Sequence, residues 1–133
     1  MSNQTRPIRV QRKRTKGYKM PENTISVCRP GKWGNPFRVV DGKGFFWIEM
    51  PNGSRPYGYE RKPEAQQKVV ELFGKMMLNP FSLTVGESAV QKFRYMRDRI
   101  QDLEGKNLGC FCPVGSHCHA EILLELANPV ERT

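Results

Sequence analysis

The segment at residues 107–128, NLGCFCPVGSHCHAEILLELAN, constrains the fold of this chain more than any other. Its first six residues are typical of a buried strand, a short loop with Pro113 and Gly115 follows, and an apolar helical pattern begins near Cys118. A strand that passes directly into a helix is the building unit of α/β proteins, which bind ligands where the strands end. This segment therefore predicts both the fold class and the position of a functional site.

The rest of the chain predicts one α/β domain, with a small mixed sheet, helices packed on it in a Rossmann-like way, and a β-hairpin insertion. The predicted elements are strands at 6–14, 24–27 and 107–112, a hairpin of 45–50 and 54–59 around Asn52-Gly53, and helices over 63–79, 87–104 and 118–128. The predicted divisions are a basic N-terminal arm with an edge strand (1–20), a single α/β domain (21–128) and a tail (129–133).

Basic residues are concentrated in the arm. The formal net charge is +9, and the first twenty residues carry seven lysines and arginines without one acidic residue. Such an asymmetry favours a polyanionic partner, a nucleic acid before an anionic membrane surface, although a solubilising tail has the same composition. The candidate nucleic-acid contacts are Arg9, Arg12, Lys13, Arg14 and Lys16.

Hydropathy and cysteine usage predict the compartment. The sequence contains no apolar run long enough for a membrane span and no apolar core of a secretory signal at its N-terminus. We therefore expect a cytoplasmic protein that is not bound to a membrane. In a reducing compartment, free thiols or metal ligands are expected in place of disulfides.

The cysteine–histidine cluster has three interpretations. Cys110 and Cys112 are two apart on a strand and project to one face, so with Cys118 and His119 (or His117) they form a candidate zinc site, although Cys-x-x-Cys is the commoner spacing. Alternatively, Cys118 is a nucleophile at a helix start and His119 is its acid–base partner. In the third interpretation, the two strand cysteines are ordinary core residues.

The loop RPGKWGNPF, residues 29–37, follows a buried strand and is a second candidate for ligand contact. Arg29 and Lys32 supply positive charge for a phosphate, Trp33 offers a stacking surface, and Asn35 has an amide that can read a base edge. The alternative is a structural turn in which Trp33 and Phe37 cover the core.

The segments CRPGKWGNPF and LGCFCPVGSHCHAEILLELA together resemble an uncharacterised family of small bacterial and bacteriophage proteins, known only as a domain of unknown function. The resemblance covers residues 6–128, with motifs at Arg29–Phe37 and Cys110–Ala120. Gly31 stands where that family is expected to have serine, and Phe111 stands where tryptophan is usual. The resemblance implies a site built from both motifs, in the cytoplasm of a bacterial host, and it brings no activity with it.

Two functional hypotheses follow, and whether the chain is an enzyme is left open between them. The first is a nucleotide- or nucleic-acid-binding protein that processes a base or nucleoside between the 29–37 loop and the helix start, with Cys118 and His119 in catalytic roles. A carboxylate for such a reaction would come from Asp41, Glu49, Glu60 or Glu121. The alternative is a non-catalytic, zinc-stabilised nucleic-acid-binding module. A host-interaction protein with incidental charge is a third option.

Overall fold

Six strands and three α-helices lie within the residues that the structure, a computed structural model, describes: 6–29, 31–112 and 116–129. In chain order they are β1 (Arg9–Gln11), β2 (Thr24–Ser26), β3 (Arg38–Gly42), β4 (Phe45–Glu49), β5 (Tyr57–Tyr59), α1 (Lys62–Leu78), α2 (Glu87–Asp98), β6 (Asn107–Cys110) and α3 (His119–Ala127), with a 3-10 helix, Ile100–Leu103, after α2. The predicted α/β class is confirmed. None of the described helices is long and apolar enough to cross a membrane.

The last strand of the chain lies at the centre of a parallel sheet. The order is β1–β6–β2, and Leu108 of β6 is paired with Arg9 on one side and Ile25 on the other. The pairing continues beyond β2, because Val27 N donates to Gly109 O at 2.9 Å. Since the three strands run in the same direction, the residues that follow each of them meet at one edge of the sheet.

A second, antiparallel sheet has the order β3–β4–β5. It contains the predicted hairpin, with Ile48 opposite Tyr57 and Gly53 in the left-handed region at φ 89°. The sequence does not predict β3, which joins β4 through a turn where Lys43 has φ 50°. Parallel and antiparallel strands are therefore divided between two sheets, and are not mixed in one.

The helices bury the apolar stripes that the sequence predicts. All five predicted core positions of α1 are buried: Ala65, Val69, Leu72, Phe73 and Met76. The predicted second helix is shorter than expected, because α2 ends at Asp98 and the chain continues as the 3-10 helix before Gly105. Phe93 of α2 packs against Phe73 of α1 with ring centroids 5.4 Å apart.

Part of the basic arm belongs to the sheet. β1 is an edge strand, as predicted, and it is paired with β6 along its whole length. Ile8 is 56% exposed, whereas Arg9 and Arg12 are partly buried. The arm residues 1–5 and the tail residues 130–133 lie outside the described residues, as do Pro30, Pro113 and Gly115 of the two predicted loops.

Gly34→Ala is expected to destabilise the fold. An added Cβ would lie 2.9 Å from both Cα and Cγ of Arg29, whose guanidinium is held by two carbonyls of the same loop. We expect the free energy of unfolding, measured by urea denaturation, to fall by about 1–3 kcal/mol. Gly74→Ala in α1 is the control, because its Cβ would make an ordinary contact of 3.6 Å with Ile122 Cδ1. An unchanged midpoint for Gly34→Ala would contradict the close approach at this glycine.

Candidate functional site at the edge of the parallel sheet

A cavity of about 450 Å³ opens where the parallel strands end. All four cysteines and both histidines of the chain line it. Cys28 follows β2, Cys110 ends β6 and Cys118 immediately precedes α3, so the strand order brings two distant parts of the chain to one place. The volume lies in the range of small-molecule sites, roughly 300–1,000 Å³.

Three of the thiols form a cluster at the floor of this cavity. The Sγ atoms of Cys110, Cys112 and Cys118 all lie within 4.8 Å of one another, and the first two are 3.8 Å apart. Sulfur ligands of a tetrahedral zinc ion, each bonded at about 2.3 Å, are also separated by about 3.8 Å. The expectation that Cys110 and Cys112 project together is confirmed, and the cluster could hold a metal ion.

Hydrogen bonding within the cluster sets which thiol ionises first. The thiols of Cys110 and Cys118 hydrogen-bond to Cys112 and lower its pKa to about 3, and the positive charge of Arg9 acts in the same direction. The same hydrogen bonds with Cys110 and Cys112, together with burial, raise the pKa of Cys118. These shifts favour a thiolate at Cys112 over one at Cys118, the position that one of the three interpretations of the sequence assigns to a nucleophile.

His119 is held in one orientation by backbone carbonyls. Its Nε2 lies 2.9 Å from the oxygen of Val27 and 3.1 Å from that of Trp33, so Nε2 carries the proton and donates it to both. The ring is 7% exposed, and burial lowers its pKa, which favours the neutral imidazole. Nδ1 then keeps its lone pair 4.0 Å from Cys118 Sγ. His117, by contrast, is exposed at the cavity wall.

The 29–37 loop forms a wall of the site and is itself held from within. Arg29 Nη1 donates to the carbonyls of Asn35 at 3.1 Å and Phe37 at 3.0 Å. The Asn35 amide accepts from Phe37 N at 2.9 Å and donates to Val69 O at 3.3 Å. Arg29 and Asn35 thus line the cavity as predicted, but the bonds that they make are internal to the protein.

Two predicted ligand contacts of this loop lie away from the cavity. Trp33 is 3% exposed and belongs to the core, because burying its large ring is favourable, and this leaves no open face for a base. Lys32 is exposed and is not part of the cavity lining. The structure therefore agrees with the alternative interpretation of this loop, a turn in which Trp33 and Phe37 cover the core.

Three residues at or beside the site belong to no motif, and the sequence analysis did not single them out. Lys62 and Gln66, one turn apart at the start of α1, line the cavity. Lys92 of α2 lies 3.4 Å from the carbonyl oxygens of Gly31 and Lys32 and ties α2 to the loop. The only feature of the sequence that groups Lys62 with Gln66 is their i, i+4 spacing, and this spacing occurs in every helix.

The basic arm turns three of its arginines toward this end of the molecule. Arg12 Nη1 donates to Ser26 Oγ at 2.9 Å and approaches Cys28 Sγ at 3.6 Å. The guanidinium groups of Arg12 and Arg14 lie 4.6 and 3.9 Å from the centre of the Phe111 ring. The terminal nitrogens of Arg9 are buried. Of the five candidate nucleic-acid contacts, Lys13, Arg14 and Lys16 are the exposed ones.

The described lining of the cavity is cationic and contains no carboxylate. Arg14, Arg29 and Lys62 line it, and it includes no aspartate or glutamate. The four carboxylates considered from the sequence, Asp41, Glu49, Glu60 and Glu121, are therefore not among the lining residues. Glu49 instead pairs with Arg38 and Arg55 on the antiparallel sheet, at 3.0 and 2.9 Å.

Comparison with known proteins identifies a family. Residues 10–129 match the family described as a domain of unknown function, DUF4326. No curated protein and no solved structure matches the chain. The matched range contains both the 29–37 loop and the thiol cluster, so the site described above lies wholly within the shared domain.

Asn35→Ala is expected to lower stability, because the change removes two hydrogen bonds from a side chain that is 5% exposed. Leaving the Phe37 N–H and the Val69 carbonyl without these partners should lower the free energy of unfolding by about 2–4 kcal/mol. Asn52→Ala, at the exposed hairpin turn, is the matched control, and thermal denaturation of both variants makes the comparison. Equal stability of the Asn35 variant and wild type would indicate that the amide is free for a ligand.

Proposed function

The chain belongs to the DUF4326 family, whose description assigns no activity, and we propose that it binds a nucleotide-sized anion in the thiol cavity. One observation carries this proposal: three cations and no carboxylate line the described part of the cavity. Positive groups that converge on a concave surface attract an anion, and phosphate is the anion for which arginine and lysine are best suited.

The cations come from separate elements. Arg14 follows β1, Arg29 follows β2 and Lys62 begins α1. Arg29 already donates to two carbonyls, so we assign the phosphate contacts to Arg14 and Lys62. This differs from the pair that the sequence predicts, Arg29 and Lys32, because the latter does not line the cavity.

The remaining walls suit the rest of a nucleotide. Val39, Val69 and Val70 give the cavity an apolar side against which a base ring can pack. Gln66 adds an amide with both donor and acceptor capacity, one turn of α1 beyond Lys62. We propose binding and assign no reaction.

Lys62→Gln and Arg14→Gln are each expected to weaken nucleotide binding. A charge-assisted hydrogen bond contributes about 1.5–3 kcal/mol, so each change should raise Kd for a nucleoside monophosphate by about tenfold or more. Isothermal titration calorimetry with a panel of monophosphates and the matching nucleosides measures this. Lys13→Gln removes the same charge from an exposed residue outside the lining and serves as the control. Equal affinity for nucleosides and monophosphates would refute the proposal.

A zinc centre is a second candidate function, favoured by the three clustered thiols. Cys110, Cys112 and Cys118 supply three ligands. The unprotonated Nδ1 of His119 is 4.0 Å from Cys118 Sγ but does not lie within 4.8 Å of all three sulfurs, so it would become the fourth ligand only if the site contracts around the ion. A zinc-bound histidine usually donates its other nitrogen to a carbonyl, as His119 does here. Zinc would tie β6 to α3, in keeping with a zinc-stabilised module. The four free thiols accord with the reducing cytoplasm that we propose as its compartment.

Exposed charge on the arm supports a nucleic-acid partner for such a module. Lys13, Arg14 and Lys16 are exposed, whereas Arg9 and Arg12 are partly buried. In this form of the proposal, the arm would contact phosphates without reading sequence, and binding would weaken steeply with added salt.

Zinc binding is expected to depend on the cluster and not on the fourth cysteine. Native mass spectrometry of protein purified without chelator should find one zinc per chain, lost in Cys112→Ser and retained in Cys28→Ser. Cys28 is the matched control, because it lines the same cavity but lies outside the cluster. Chelation should also lower the melting temperature of the wild type, since metal binding contributes to folding stability. A wild-type chain that stays free of metal in excess zinc would eliminate this candidate.

A further inference from the structure

The two terminal nitrogens of the Arg9 guanidinium are buried, and they have no hydrogen-bond partner among the described residues. These atoms, Nη1 and Nη2, have essentially no accessible surface. Among the described residues, the carboxylate that forms ion pairs is Glu49, whose partners are Arg38 and Arg55. Buried donors that lack an acceptor cost about 1–3 kcal/mol each, and more when they are charged. Such groups are rare in native proteins, and each calls for an explanation, such as an ion or ligand that compensates it.

The position of Arg9 points to that partner. Arg9 pairs with Leu108, and two residues further along the same strands Gln11 pairs with Cys110. Because alternate residues of a strand share a face, Arg9 projects to the same side of the sheet as Cys110.

We propose that Arg9 is the outer partner of a metal–thiolate centre, its buried guanidinium lying on the face of the sheet that carries Cys110 and offsetting the charge of the centre. This inference rests on the zinc centre proposed above. A divalent ion with three thiolates and a neutral imidazole has one net negative charge, and one guanidinium neutralises it. Arginine suits this position because it stays protonated when buried and is weakly hydrated, whereas a buried lysine readily loses its proton.

This assignment gives the first strand of the arm a role distinct from nucleic-acid contact. Arg9 is a positioning residue here, because it acts on the metal through a thiolate and does not bind the metal itself. A metal–thiolate centre also explains how the guanidinium of Arg9 is accommodated beside a cavity whose described lining has no carboxylate.

The test compares zinc affinity in wild type, Arg9→Gln, Arg9→Lys and Lys13→Gln, by competition with a chromophoric chelator. Loss of an outer partner typically costs 10–100-fold in metal affinity, so Arg9→Gln should bind zinc about 10–100-fold more weakly. Arg9→Lys should recover part of that loss, and Lys13→Gln should match wild type. The thiolate-to-metal absorption band of the cobalt-substituted protein should shift in Arg9→Gln, which a change in stability alone would not cause.

The outcomes separate this inference from the proposal beneath it. If the wild type binds zinc but Arg9→Gln matches Lys13→Gln in zinc affinity and in cobalt spectrum, the role of Arg9 is overturned. The proposed zinc centre then stands. Wild type that binds no metal overturns both. If Arg9→Gln does not fold, nitrogen-15 spectra of arginine-labelled wild type decide: the Arg9 Nη signals should shift and become protected from exchange when zinc is added, and unchanged signals overturn the inference.

Discussion

The hydrogen bonds from His119 Nε2 to the carbonyls of Val27 and Trp33 are the interaction on which the site depends. They join the first turn of α3 to the segment that follows β2, and they are buried. They also determine the chemistry of the ring, because a proton on Nε2 leaves the lone pair of Nδ1 on the side of Cys118. Phe73 of α1 packs edge-on against the same imidazole at 5.0 Å and closes it off from the core side.

Charge balance links the two proposals. Arginines and a lysine surround thiols at this end of the molecule, and the described cavity lining offers no carboxylate to neutralise them. Negative charge must then come from thiolates, from a ligand, or from both. A metal bound at the floor of the cavity would convert three thiols into thiolates beside Arg9, whereas Arg14 and Lys62 at the lining would remain available for a bound anion. The metal and the anion are therefore compatible occupants of one cavity.

Several residues that the sequence marks as ligand contacts have partners within the protein. Trp33 and Asn35 have side chains suited to stacking on a base and reading its edge, yet the same properties let one fill the core and the other satisfy buried backbone groups. Arg9 and Arg12 likewise look like surface cations, but Arg9 belongs to β1, which pairs with β6, and Arg12 N donates to Cys110 O just beyond that strand. Residue type alone does not distinguish a partner within the protein from one outside it.

Local pattern by itself determined the α/β class, the apolar faces of the helices, the hairpin at Asn52-Gly53 and the common face of Cys110 and Cys112. Each of these follows from a repeat of two or 3.6 residues or from a turn sequence, which neighbouring residues specify. Only the tertiary structure decided that β6 lies between β1 and β2, that Lys62 of α1 lines the cavity, and that the guanidinium of Arg9 lies on the core side. These features arise from contacts between residues distant in the chain, and no periodicity within one segment encodes them.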